Sequence, residues 1–123
     1  MKKFLCLCLI LALCLPLVAC NQSQRTKIEI TDDTMAPTFS TGDTVIYESV
    51  DPDTLKEDDI IAFWTVVNGQ RCIVLHRITA IYDLGDNLGF QTKGDNNAEP
   101  DASVVHESNI VGKYIRKAIF NLF

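Results

Sequence analysis

A mainly β domain is what this sequence predicts, a coiled sheet or small barrel following an N-terminal hydrophobic segment. Short runs of β-branched and aromatic residues recur from Lys27 onward, clusters of Gly, Asn and Asp divide them, and two of the runs flank Asn68-Gly69. Many short strands with frequent turns are the pattern of a coiled, barrel-like β architecture. The length of 123 residues bounds the chain to one small domain, since domains commonly run to about 100–200 residues.

The elements follow in order. Ile28 and Ile30 alternate with polar neighbours, the period of a half-buried strand. Thr44-Val-Ile-Tyr47 is β-branched and aromatic, a composition that suits a pleated, partly buried surface. Ile60–Val67 and Cys72–Tyr82 are two long strand candidates with Asn68-Gly69 between them. That dipeptide favours a type I′ hairpin turn, because both central residues need positive φ. A second turn falls at Leu84-Gly-Asp-Asn-Leu-Gly89, and Phe90–Lys93 and Ile110–Ile115 return as strands. The tail 116–123 extends a strand or forms one short helix. Cys72 reads as a small buried apolar residue, since nothing near it suggests a reactive or metal-bound thiol.

The N-terminus is a targeting or anchoring device. Met1-Lys2-Lys3 is positive, and Phe4–Cys20 is a 17-residue run without a charge, short for a span that typically takes about 20 residues. The run ends Leu17-Val18-Ala19-Cys20 before the polar Asn21-Gln22-Ser23-Gln24, which resembles a bacterial lipoprotein signal whose Cys is lipidated. Residues 1–20 are therefore expected to be a signal or anchor segment, 21–27 a polar tether and 28–123 the β domain. On the lipoprotein reading Cys6, Cys8 and Cys14 leave with the signal, and acyl chains on Cys20 hold the domain to the membrane. On the competing reading the segment stays as an uncleaved anchor. Both place the domain on the extracytoplasmic side of a bacterial plasma membrane.

Composition narrows the partners. With 47% hydrophobic and 22% charged residues, the chain has the make-up of a globular domain and not of a disordered one. Its formal net charge is −5, and without Lys2 and Lys3 nine basic residues face 16 acidic ones, a net −7. A nucleic-acid partner is excluded, since phosphates demand a basic face.

Peptide hydrolysis by a hydroxyl needs a nucleophile, a base to take its proton, and often a carboxylate to orient that base. Thr34 supplies a hydroxyl after the first strand, His76 lies in Leu75-His76-Arg77-Ile78, and Asp95 and Asp101 lie in one Gly/Asn-rich stretch. Imidazole suits the base because its unperturbed pKa is near neutral. Each residue also has a plainer reading: Thr34 as a strand end, His76 as a hydrogen-bonded strand residue, and Asp95 and Asp101 as turn formers.

Four ordered stretches resemble signal peptidase I: Thr34-Met-Ala-Pro-Thr38 with Gly42-Asp43, Asp59-Ile-Ile-Ala-Phe63, His76-Arg-Ile78 and Lys93-Gly-Asp-Asn-Asn97. His at position 76, where other members have Lys, points to the endoplasmic-reticulum-type branch. The resemblance implies that His76 is the general base, Asp101 orients it, Asp95 supports the loop and the backbone N–H of Thr34 is an oxyanion donor. It further implies a β-rich fold, secretory precursors cut after small residues as substrates, and no metal or cofactor.

Three features depart from the family pattern. Thr34 stands where the family has its nucleophilic Ser, Asp58 stands where Gly is usual, and the N-terminus is lipoprotein-like. Thr keeps the hydroxyl but adds a methyl that restricts χ1 and occupies space beside the scissile bond. Two functions are therefore expected in competition. One is a membrane-bound serine-type endopeptidase that processes signal peptides, with activity impaired by Thr34. The other is a catalytically inactive membrane lipoprotein that binds extended peptide segments by strand addition. His76 and Asp101 favour the first, and the missing Ser favours the second.

Overall fold

A computed structural model describes residues 24–119. Its seven strands are β1 (Arg25–Glu29), β2 (Thr44–Glu48), β3 (Ile60–Val67), β4 (Gln70–Asp83), β5 (Leu88–Lys93), β6 (Val105–His106) and β7 (Ile110–Lys117). All pair antiparallel in one sheet of order β1-β2-β7-β3-β4-β5-β6. The fold is mainly β, as the sequence predicts. The sheet is open, with β1 and β6 at its edges, so the coiled-sheet form of the expectation applies and not a closed barrel.

The β3–β4 hairpin organises the centre. Asn68 and Gly69 both take positive φ, 52° and 78°, the geometry whose twist matches the flanking strands. The register runs without interruption from Val67↔Gln70 to Ile60↔Arg77. Beyond it a bulge between Ile78 and Ala80 shifts the β4–β5 register. An extra residue in one strand re-aims the side chains after it, so Ile78 and Ile81 both reach the same core.

Alternation along β3 explains why its sequence is almost wholly apolar. Ile60 and Ala62 enter one buried cluster with Met35, Phe39, Val45, Tyr47 and Leu75. Ile61 and Phe63 enter the other with Leu55, Ile78, Phe90 and Val105. Successive strand residues point to opposite faces, so a strand buried on both faces must be apolar throughout. Complete burial of side chains of this size contributes about 1.5–3 kcal/mol each, and Phe39, Val45, Ile61, Ile78 and Phe90 are fully buried.

Several local features differ from the sequence reading. The second turn is shorter, because Gly85 (φ 99°) and a Leu84 N–H to Asn87 O bond close it and Leu88 already belongs to β5. Strand β7 runs on to Lys117, settling the tail up to that residue as strand. Cys72 is half-buried and free. Strand β6 and the 3-10 turns Pro52–Thr54 and Glu107–Asn109 carry no periodic signal, being two or three residues long. The chain has joined the sheet by Arg25, within the stretch 21–27 whose composition suggests a tether. The 1–20 signal or anchor segment and Cys20 lie outside the described residues. No helix among the described residues is long and apolar enough to cross a membrane.

Asp58 holds φ at 76°, where a Cβ is strained and Asp is among the better-tolerated residues. Its N–H donates to Ile78 O at 2.9 Å, tying the turn before β3 to β4. Replacing the exposed Asp58 by Gly is expected to leave stability equal or raise it by up to about 1 kcal/mol, while Asp58→Val loses about 1–2 kcal/mol. Urea unfolding of the three proteins measures the difference.

Candidate active site

Thr34 is placed by the loop between β1 and β2. The loop's base is closed by Ile30 N–H to Asp43 O and Gly42 N–H to Ile30 O, both 2.8 Å. Asp43 Oδ2 accepts the Ser40 N–H at 2.9 Å, and this bond, with Lys117 beside it, holds the Asp43 carboxyl below its ordinary range. Met35 and Phe39 sink into the core, with Phe39 tilted against Tyr114 at 4.8 Å between ring centroids. Thr34, next to the anchor Met35, is thereby left half-buried at the loop's rim.

A second loop, residues 94–101, docks on the first. Asn96 N–H donates to Thr34 O at 2.8 Å, Asn96 Nδ2 to Asp33 O at 3.2 Å, and Asp95 N–H to Met35 Sδ at 3.3 Å. A Cβ on Gly94 would lie 2.6 Å from Thr34 O and 2.7 Å from Asn97 Nδ2. Glycine is required at this crossing because two backbones meet there.

Two neighbouring residues of β4 hold that second loop. Arg77 grips Asp95 in a bidentate pair, Nε to Oδ1 and Nη2 to Oδ2, both 2.9 Å, and Nη1 donates to Asp58 O at 2.8 Å. Thr38 Oγ1 adds a bond to Asp95 Oδ2 at 2.6 Å. The guanidinium, ahead of the opposing cost of burial, holds the Asp95 carboxyl below its usual value, and the carboxylate in turn raises Arg77. His76 Nδ1 lies 2.6 Å from Asp101 Oδ2, which also accepts Thr92 Oγ1 at 2.7 Å. A carboxylate only accepts, so Nδ1 carries the proton and Nε2 presents its lone pair. That Nε2 lies 3.2 Å from Thr34 Oγ1.

His76 is 8% exposed, with the Phe63 ring steeply inclined to it at 6.1 Å between centroids. Thr34, His76 and Asp101 line a groove of about 670 Å³ whose apolar wall includes Phe63, Val66, Val74 and Val104. Strand β5 pairs with β4 only from Arg77 onward. The edge of β4 from Gln70 to His76 opposite β3 therefore carries no strand among the described residues, which suits an extended peptide adding to it.

All four residues singled out from the sequence sit here. Thr34, His76 and Asp101 stand in one chain at hydrogen-bonding distances, and Asp95 stands apart from it under Arg77. Two further residues touch the chain. Thr92, fully buried, fixes Asp101, and nothing in a strand Thr marks it beforehand. Asp32 accepts both the Thr34 hydroxyl, 2.8 Å, and the Thr34 N–H, 3.1 Å, through Oδ1. Its spacing, two residues before the N–H it bonds, is that of an Asx turn.

Comparison with known proteins finds two kinds of relative. The chain is 38% identical over 81 residues to signal peptidase I W of Bacillus subtilis, a match covering 65% of this chain and 41% of that protein. It is 28% identical over 93 residues to the signal peptidase complex catalytic subunit SEC11C of Homo sapiens and of Canis lupus familiaris, covering 74% of this chain and 47% of theirs. The chain thus spans less than half the length of these curated relatives. No family model matches it.

Gly94→Ala is expected to push the two loops apart at a cost of about 1–3 kcal/mol in urea unfolding, the usual range for overpacking. Asp95→Asn is expected to lose about 1–3 kcal/mol at neutral pH, since charge-assisted bonds to Arg77 go with it. Because the folded value of Asp95 is depressed, its contribution is full above the unfolded value of about 3.9 and fades as pH falls through the folded one. The stability gap between native and Asp95→Asn proteins should therefore shrink as unfolding is followed from pH 7 into acid.

Proposed function

Because the chain belongs to the signal peptidase I family, we propose that it is a serine-type endopeptidase domain acting on signal-peptide-bearing precursors, with Thr34 as nucleophile and a low intrinsic rate. The observation that carries this reading is the alignment Thr34–His76–Asp101, with the Thr34 hydroxyl 3.2 Å from Nε2 and Nδ1 2.6 Å from the Asp101 carboxylate. His76 Nε2 takes the Thr34 proton while Oγ1 forms a bond to the scissile carbonyl carbon, and the carbonyl oxygen becomes an oxyanion. Collapse of that intermediate breaks the C–N bond, and His76 returns the proton to the leaving amine. Water then attacks the Thr34 ester, again through His76, releasing the acid and restoring the hydroxyl. Asp101 holds the imidazole in the tautomer this requires and stabilises the imidazolium that forms.

The low rate follows from the side chain. A methyl on Cβ limits χ1 and competes for space with the incoming carbonyl, and a displacement of about 1 Å costs on the order of 10²-fold. The site is further proposed to work at the outer face of a bacterial plasma membrane, attached through residues 1–20 or through lipid on Cys20. That placement is supported by the charge-free run Phe4–Cys20. The rival reading, a peptide-binding lipoprotein without turnover, is favoured by the same methyl and by the open edge of β4.

Cleavage of a signal-peptide-bearing precursor by the full chain in detergent separates the two. The native protein is expected to cut slowly, Thr34→Ser about 10–100-fold faster, and Thr34→Ala not at all. Binding of the precursor by all three folded proteins, with cleavage by none, would establish the rival.

A further inference from the structure

Asp32 holds both groups that the first chemical step needs free. Its Oδ1 accepts the Thr34 hydroxyl at 2.8 Å, whereas the hydroxyl lies 3.2 Å from His76 Nε2. A hydroxyl has one proton to donate, and the nearer acceptor is a carboxylate, so the proton is directed away from the base. The same Oδ1 accepts the Thr34 N–H at 3.1 Å. An oxyanion donor must aim at the position where charge develops in the intermediate, and here a carboxylate oxygen already occupies that aim.

We propose that Asp32 is a built-in clamp that disarms the Thr34–His76–Asp101 site. It sequesters the nucleophile's proton, occupies the oxyanion N–H, and sets a negative charge where the tetrahedral oxyanion must form. The proposal rests on the peptidase reading above. Asp32 is exposed and lines the groove beside Thr34, and its side chain accepts two hydrogen bonds from Thr34. The turn itself does not require the charge, since Asn forms it as readily as Asp. Attack needs the Thr34 proton to pass to His76 as the C–O bond forms, so the carboxylate must first release both donors. One oxyanion donor is worth about 10²–10³ in rate, which sets the scale of the restraint.

The test uses the full chain in detergent, with Asp32→Asn made alone and together with Thr34→Ser. Cleavage of a signal-peptide-bearing precursor is expected to rise at least about tenfold over each parent, because an Asn keeps the turn but not the charge. In parallel, the Thr34 amide resonance is followed by NMR through the acid range, about pH 2–5, where protein carboxylates titrate. It should move with pH in the native protein and stay still in Asp32→Asn. If Thr34→Ser cuts and adding Asp32→Asn leaves its rate unchanged or lower, the clamp is overturned while the peptidase reading stands. An amide that ignores pH in the native protein overturns it too. Silence from every variant, the double one included, removes the peptidase reading and leaves the clamp nothing to disarm.

Discussion

One strand grips one loop twice, and the arrangement of the site depends on that grip. His76 and Arg77 are consecutive in β4, so they project to opposite faces. Each finds a carboxylate of the same loop: Asp101 at 2.6 Å for His76 and Asp95 at 2.9 Å for Arg77. The five residues between those carboxylates are thereby held against the strand. Once held, the loop presents Gly94 and Asn96 to the backbone of the Thr34 loop. The ion pair is only partly exposed, 31% and 17% at the two side chains, and its bidentate geometry gives orientation that a single point charge lacks.

The same logic explains why the frame does not depend on the side chain at position 34. The Thr34 loop is fixed through main chain and through its neighbours: Thr34 O accepts from Asn96, Met35 is buried, and Gly42 and Asp43 close the base. None of these contacts involves the Thr34 side chain. Substitution there changes the chemistry of the groove and leaves its walls in place. Asp32 acts at the same point by a different route, because an Asx turn and an oxyanion site draw on the same backbone N–H. Two residues of one loop thus differ in what they bring to the groove, Thr34 a methyl and Asp32 a charge.

How far the sequence could be read depended on the range of the interaction. Asn68-Gly69 was legible because a type I′ turn is decided within two residues, and β3 because burial of its first half on both faces leaves the apolar run Ile60–Trp64. Asp58 was legible only as a departure from a usual glycine, and its φ of 76° is the conformation that favours glycine there. Cys72, read as buried, proved half-buried, since its place near the hairpin end depends on what covers the strand there. Asp32 and Thr92 carried no signal, because a turn-forming Asp and a strand Thr are ordinary residues until Thr34 and Asp101 lie beside them.

The sequence by itself determined the strands, the central hairpin and the family to which the chain belongs, because alternation, turn chemistry and motif order are properties of short segments. It also supplied the chemically competent side chains Thr34, His76, Asp95 and Asp101. Their grouping was decided by tertiary structure: His76 is 42 residues from Thr34 and 25 from Asp101 along the chain. Sheet order and loop docking alone separated Asp101, which touches the imidazole, from Asp95, which is taken by Arg77. They alone set the Asp32 carboxylate closer to the Thr34 hydroxyl than His76 is, because a hydrogen bond is settled by tenths of an ångström that no spacing along a chain encodes.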